Sequence, residues 1–153
     1  MLLENFAEAQ FIELEKEVSM YCSIVKSNCT KGDVLFLKPH PGEIFTNRIK
    51  YITAKLSNYV RVVKLDNEYT TYPIELWKEL VQNSTVISMA YPVLSLRYLY
   101  NIQIIQPMDK TFIETWFPQW VWPHLKNAIN LYMVPFSKLC TWNCSGILWN
   151  GKL

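Results

Sequence analysis

Four consecutive apolar residues, Val34-Leu35-Phe36-Leu37, run straight into Lys38-Pro39-His40-Pro41, and this junction limits the possible folds more than any other stretch. With Lys31-Gly32-Asp33 ahead of it, the run reads as a strand buried on both faces. Pro39 and Pro41 carry no N–H for a sheet and hold their own φ, so the strand must end there. His40 is then held on a stiff turn just past the strand's carboxyl end, the edge where open α/β sheets bind ligands. Lys38, His40 and Glu43 fall within six positions. A cation, an imidazole and a carboxylate on a braced loop suit an anionic ligand with a sugar part. The plainer reading is a rigid β-to-α turn with an exposed Lys38 and a hydrogen-bonded His40.

The rest of the chain supplies a sheet around that strand. Phe11, Leu14, Val18, Tyr21, Cys22 and Val25 recur at three- and four-residue spacing, predicting a helix over 11–28 with Glu13, Glu15, Lys16 and Glu17 on its wet face. Gly32 is the expected stop. A helix is expected over 44–57 with Ile49, Ile52 and Leu56 inward, and a β-branched strand over 59–65. Pro73 suits a helix's first position, with Ile74, Leu76, Trp77 and Leu80 as its apolar stripe to Val81. Strands over 85–88 and 103–105 flank a helix over 92–100. Strands alternating with helices predict an α/β fold, a Rossmann-like parallel sheet with flanking helices and right-handed crossovers.

Composition excludes several function classes. The 153 residues fit one domain, and half of them are hydrophobic, enough for a core. A net charge of +2 gives no basic field for nucleic acid. No apolar run approaches the ~18 residues of a membrane span, and early Glu4, Glu8, Glu13 and Glu15 do not fit a signal peptide. The expected place is the cytoplasm, free or against the inner face of its membrane. Cys22 and Cys29 are too far apart along a helix for a disulfide. Beside Cys140 and Cys144 there is no second Cys pair at metal spacing, and His40 and His124 are the two histidines, so neither zinc nor any other cofactor is expected.

Lys38-Pro39-His40-Pro41 closing a buried strand resembles the His-Pro motif of bacterial sialyltransferases, which sialylate lipooligosaccharide and capsule chains. The order of segments around it is similar to their C-terminal half: a charged helix, the motif, a strand, Tyr72-Pro73-Ile74-Glu75-Leu76, then Thr85-Val86-Ile87-Ser88 and a helix into Tyr98-Leu99-Tyr100-Asn101-Ile102. The resemblance covers roughly Leu3 to Gln106. It implies a Rossmann-like donor domain over 1–106, the C-terminal half of a GT-B glycosyltransferase. Over 107–153 the chain would form an aromatic-rich, mainly helical segment packed on it.

The resemblance also implies roles. The partners would be CMP-sialic acid, or another sugar nucleotide, and a glycan acceptor. His40 would be the catalytic donor to the departing phosphate, whose charge grows in the transition state. Lys38 and Pro41 would line the nucleotide, Lys38 as a fixed charge. Glu75 would accept from the ribose hydroxyls, although a glutamate in a first helical turn also satisfies the helix dipole. Ser88 would help a helix N-terminus hold the phosphate. The family tends to place adjacent small hydroxyl residues there, whereas this chain has Ser88-Met89-Ala90-Tyr91-Pro92. Tyr91 is a bulky substitute at best.

The family's general base belongs to an acidic motif in an N-terminal domain, and Met1-Leu2-Leu3-Glu4-Asn5 already looks like the first strand of the second. A missing N-terminal domain is therefore expected, and a chain inactive alone. The early glutamates are explained by a solvated helix face. Trp116, Trp120, Trp122, Trp142 and Trp149 fit either helices packed over the sheet or a surface for a partner domain or membrane. A non-catalytic interaction module is the alternative of a different class.

Overall fold

The computed structural model describes residues 1–41, 43, 46–65, 69, 71–89 and 92–125, leaving aside the side chains of 46 and 92–94. The order is α1 (Leu14–Asn28), β1 (Val34–Leu37), α2 (Thr46–Leu56), β2 (Arg61–Lys64), a 3-10 turn (Ile74–Leu76), α3 (Lys78–Gln82), β3 (Val86–Ile87), α4 (Pro92–Tyr100), β4 (Ile104–Ile105), α5 (Lys110–Trp116) and a second 3-10 turn (Gln119–Val121). Among the described residues helix is mixed with two small parallel sheets, β1 with β2 and β3 with β4.

Residues 1–3 join the two sheets. Leu2 forms a parallel bridge with Lys38. The Leu3 N–H donates to the Lys38 carbonyl (2.9 Å), the Lys38 N–H to the Met1 carbonyl (3.0 Å), and the Leu2 N–H to the Ile87 carbonyl (2.9 Å). The backbone order in space is thus β2, β1, residues 1–3, β3, β4. In a strand successive side chains point to opposite faces, and here that alternation divides two cores. Leu3, Leu35, Leu37 and Ile87 face α1, α2 and α5, in one cluster with Val25, Ile52, Ile113 and Phe117. Leu2, Val86 and Ile104 face the other way, with Ile74, Val81 and Leu96.

That second face corrects the expectation of a strand buried on both sides. Leu35 and Leu37 are buried, but Val34 and Phe36 are 43% and 38% exposed. The segment expected as one helix from Pro73 to Val81 breaks at Trp77 (φ −105°, ψ 57°) into a 3-10 turn and a five-residue helix. So short a cover reaches β3 and β4 and leaves β1 partly bare.

Other boundaries move by a few residues. α1 begins at Leu14 rather than Phe11, and it ends where Cys29 turns extended (φ −123°, ψ 150°) rather than at a left-handed glycine. The expected helix over 44–57 is described from Thr46 to Leu56, residues 44 and 45 lying outside the described set. Glu17, expected on the solvated face of α1, is fully buried. Helical spacing puts it on the stripe of Tyr21 and Ile24.

The described part of the aromatic segment packs on this same domain. Phe117 is buried and meets Phe6 edge-on at 5.0 Å, while Trp116 and Trp122 lie half-buried against the first core. The Trp122 indole N–H donates to the Phe117 carbonyl (3.0 Å). Trp120 stays 56% exposed beside Phe11. Ile113, Phe117, Val121 and Leu125 of this segment are buried in the first core. Trp142, Trp149, Cys140 and Cys144 lie outside the described residues. Asp109 caps α5, its carboxylate accepting from the Phe112 N–H at 2.7 Å. Asp109→Ala should cost about 1 kcal/mol in a urea titration. No measurable change would mean that α5 is held by its core contacts alone.

Candidate functional site

The expected site residues gather at the carboxyl edge of the sheet, by different routes. Lys38 continues β1 and is held by backbone bonds to the 1–3 segment. Its alternation with Leu37 turns the side chain to the second face, where it is 6% exposed. Burial lowers the ammonium's pKa, and the charge of Glu75 opposes that fall. The expected exposure of Lys38 in the plainer reading is thus overturned. Lys38 and Glu75, 37 positions apart in the chain, become electrostatic partners.

Glu75 lies in the 3-10 turn and is half-buried. Its carboxylate accepts from the Ser95 hydroxyl at 2.5 Å, and its carbonyl accepts from the Tyr100 hydroxyl. Ser95 is in the first turn of α4, so the carboxylate sits where a helix dipole favours negative charge. Glu75 thereby ties the crossover to α4, and its charge favours the Lys38 ammonium.

His40 follows the buried Pro39 and is half-exposed; Pro41 is exposed. The Glu43 N–H donates to the His40 carbonyl (2.9 Å), which closes the turn after β1. Ser88 ends β3 with its N–H on the Ile105 carbonyl (3.1 Å), and it is 1% exposed. Its hydroxyl therefore sits beneath the edge surface. Ala90 and Tyr91 lie outside the described residues. A cavity of about 440 Å³ opens lower on the sheet, along Leu2, Val34, Phe36, Leu80 and Thr85; it reaches Lys38 but not His40, Glu75 or Ser88.

A second charged group at this edge was missed by sequence reasoning. Arg48 of α2 is buried, with Nε on Glu17 Oε2 (3.0 Å) and Nη2 on Glu17 Oε1 (2.6 Å). Its Nη1 bonds Glu43 Oε2, and Nη2 also bonds the Glu4 carbonyl. The Tyr21 hydroxyl accepts from the Glu4 N–H (2.9 Å) and donates to the Glu4 carbonyl (3.2 Å). Burial and the negative charge of Glu17 push the Tyr21 phenol well above its usual range.

Two expectations are corrected by this cluster. Glu43, read as a ligand-facing carboxylate, turns inward with its side chain 8% exposed. Glu4 and Glu8, assigned to a solvated helix face, precede α1 and are half-buried. The signal in the sequence was Arg48 itself, an arginine directly beside the inward Ile49. Among the described residues no group of three or more His, Cys, Asp or Glu could hold a metal ion. Cys22 and Cys29 are free thiols whose pKa burial raises. No described helix is long and apolar enough to cross a membrane. No family model matches the chain, and no curated protein or solved structure matches it significantly.

Proposed function

We propose that the chain is a Rossmann-like donor-binding half of a sialyltransferase-like glycosyltransferase, taking CMP-sialic acid at the carboxyl edge of its sheet. The spatial order β2, β1, residues 1–3, β3, β4 supports this reading. Counted along the chain with residues 1–3 as the first strand, it is 3-2-1-4-5, the order of doubly wound nucleotide-binding sheets. In such sheets the ligand lies where the order reverses, here between the first and fourth strands.

The observation that carries the proposal is that strand order, with Lys38 and the turn bearing His40 just past the end of the strand beside the point where the order reverses. A lysine at that edge, whose ammonium form is favoured by the charge of Glu75, can hold a phosphate. The same carboxylate can accept from two ribose hydroxyls. A half-exposed imidazole one residue beyond Pro39 can donate to the phosphate oxygen as the glycosidic bond breaks. Glycosyl transfer would also need an acceptor hydroxyl and a base, which a further domain would supply.

Calorimetric titration with CMP and with UDP tests this. CMP should bind, and Glu75→Gln should weaken it roughly tenfold to a hundredfold, the loss of one charge-assisted bond. Gln still accepts from Ser95, so the thermal midpoint serves as the control for folding. Equal discrimination against 2′,3′-dideoxy-CMP by wild type and variant would remove Glu75 from the ribose. Absence of heat with either nucleotide would end the proposal.

A further inference from the structure

Three cations converge on a hollow at the amino edge of β1 and β2, opposite the edge that carries His40. Lys26 comes from the last turn of α1, Lys31 from the loop before β1, and Arg61 from the first position of β2. With Ser57, Asn58 and Tyr59 they line a depression of about 740 Å³, and no described aspartate or glutamate lines it. A neighbouring hollow of about 500 Å³ shares Lys26 and Tyr59 and adds Lys55, Tyr51 and the acid Glu15. All four cations are exposed, and the ion pairs among the described residues include none of them. Asp33, two positions from Lys31, is engaged elsewhere: its carboxylate accepts from the Thr30 N–H (2.7 Å) and hydroxyl (3.1 Å).

Helix ends explain only part of this cluster. Lys26 and Lys55 stand in the last turns of α1 and α2, where a cation offsets the negative end of the helix dipole. Lys31 and Arg61 belong to no helix, so the dipoles do not account for them. The two helix ends together supply about one negative charge, against four cations around the paired hollows. Two of those cations are also braced. Lys26 Nζ lies 4.6 Å from the centre of the Tyr59 ring, and Lys55 Nζ lies 5.3 Å from that of Tyr51. A ring beneath the ammonium restrains a flexible side chain, so less freedom is lost when a ligand arrives.

We propose that this hollow is a second binding site, for a soluble ligand carrying two or more linked phosphate groups. The larger depression has the volume of small-molecule pockets. Its cations come from three separate segments and surround one space, which suits a compact ligand better than an extended acidic peptide. The Arg61 fork matches two phosphate oxygens, and each ammonium brings three donors. A single phosphate would leave part of the positive charge unmatched, whereas an oligophosphate can meet all three cations at once. The site does not depend on what the carboxyl edge of the sheet binds.

Calorimetric titration of the whole chain with tripolyphosphate at low salt is the experiment. Wild type should bind it more tightly than inorganic phosphate, and added salt should weaken it. Lys31→Glu and Arg61→Glu should each lower the affinity roughly five- to thirtyfold, since an exposed attraction becomes a repulsion. Lys110→Glu changes the net charge equally but lies outside both hollows and should bind as wild type does. Glu75→Gln should also leave tripolyphosphate binding unchanged, so failure here and failure at the carboxyl edge stay distinguishable. Should a charge reversal not fold, Lys31→Gln and Arg61→Gln take its place, with a smaller loss in the same direction. Equal affinity in wild type and in the Lys31 and Arg61 variants overturns the site. Tetraglutamate binding as tightly as tripolyphosphate overturns it in favour of an acidic peptide. Sedimentation with phosphatidylserine vesicles without any binding of tripolyphosphate overturns it in favour of a lipid surface.

Discussion

Arg48→Met should cost about 3–5 kcal/mol in urea unfolding. Glu17 is fully buried, and its carboxylate is held by two N–H groups of one guanidinium. Such a fork is strong because both partners are charged and planar. Taking both charges from water is itself costly, so the intact pair adds modest net stability. Removing the cation alone is different. Glu17 then stays buried with Glu43 and Glu4 near it and nothing to offset the charge. It must take up a proton or drag α1 away from α2. The Glu4 carbonyl also loses a donor, which frees the end of the 1–3 segment. Glu17→Leu combined with Arg48→Met should regain much of the loss, because two apolar side chains leave no buried charge behind. A loss of less than about 1 kcal/mol for Arg48→Met would show that water reaches Glu17, in which case the cluster is a surface feature.

Phe117→Ala should cost about 3–5 kcal/mol, the range for removing a buried phenyl ring. The ring is 2% exposed and packs edge-on against Phe6. An aromatic pair of this geometry adds about 0.5–1.5 kcal/mol to the area that it buries. The backbone around it also holds Trp122, through the indole bond to the Phe117 carbonyl. The substitution should therefore loosen residues 110–125 together, and tryptophan fluorescence should shift to the red at a lower urea concentration than in wild type. If the cost is under about 1 kcal/mol and fluorescence does not change, the aromatic segment does not share the core of the sheet.

Local signals carried far along this chain. α4 runs from Pro92 to Tyr100 as its pattern predicts, since a proline suits the first helical position and Asn101 leaves in the left-handed region (φ 49°). β1 occupies the predicted residues because Asp33 and Pro39 bracket them, and no distant contact is needed to know where it stops. The Lys38-Pro39-His40-Pro41 turn was equally legible, because proline acts on its own φ and on its own missing N–H. These are effects of neighbours in sequence.

Where a side chain found its partner was decided elsewhere. Whether Val34 and Phe36 are covered depends on how far a short crossover reaches, and Trp77 cuts that crossover after one turn. Glu17 reads as solvent-facing among Glu13, Glu15 and Lys16, and only Arg48, 31 positions away, makes its burial tolerable. Glu43 and Lys38 exchanged their expected surroundings for the same reason. The sequence alone determined the extents of β1 and α4 and the stiff edge at His40, because propensity, periodicity and proline geometry are local. Only the tertiary structure decided which charges go inside, because a buried charge is stable solely beside a counter-charge that the chain brings from far away.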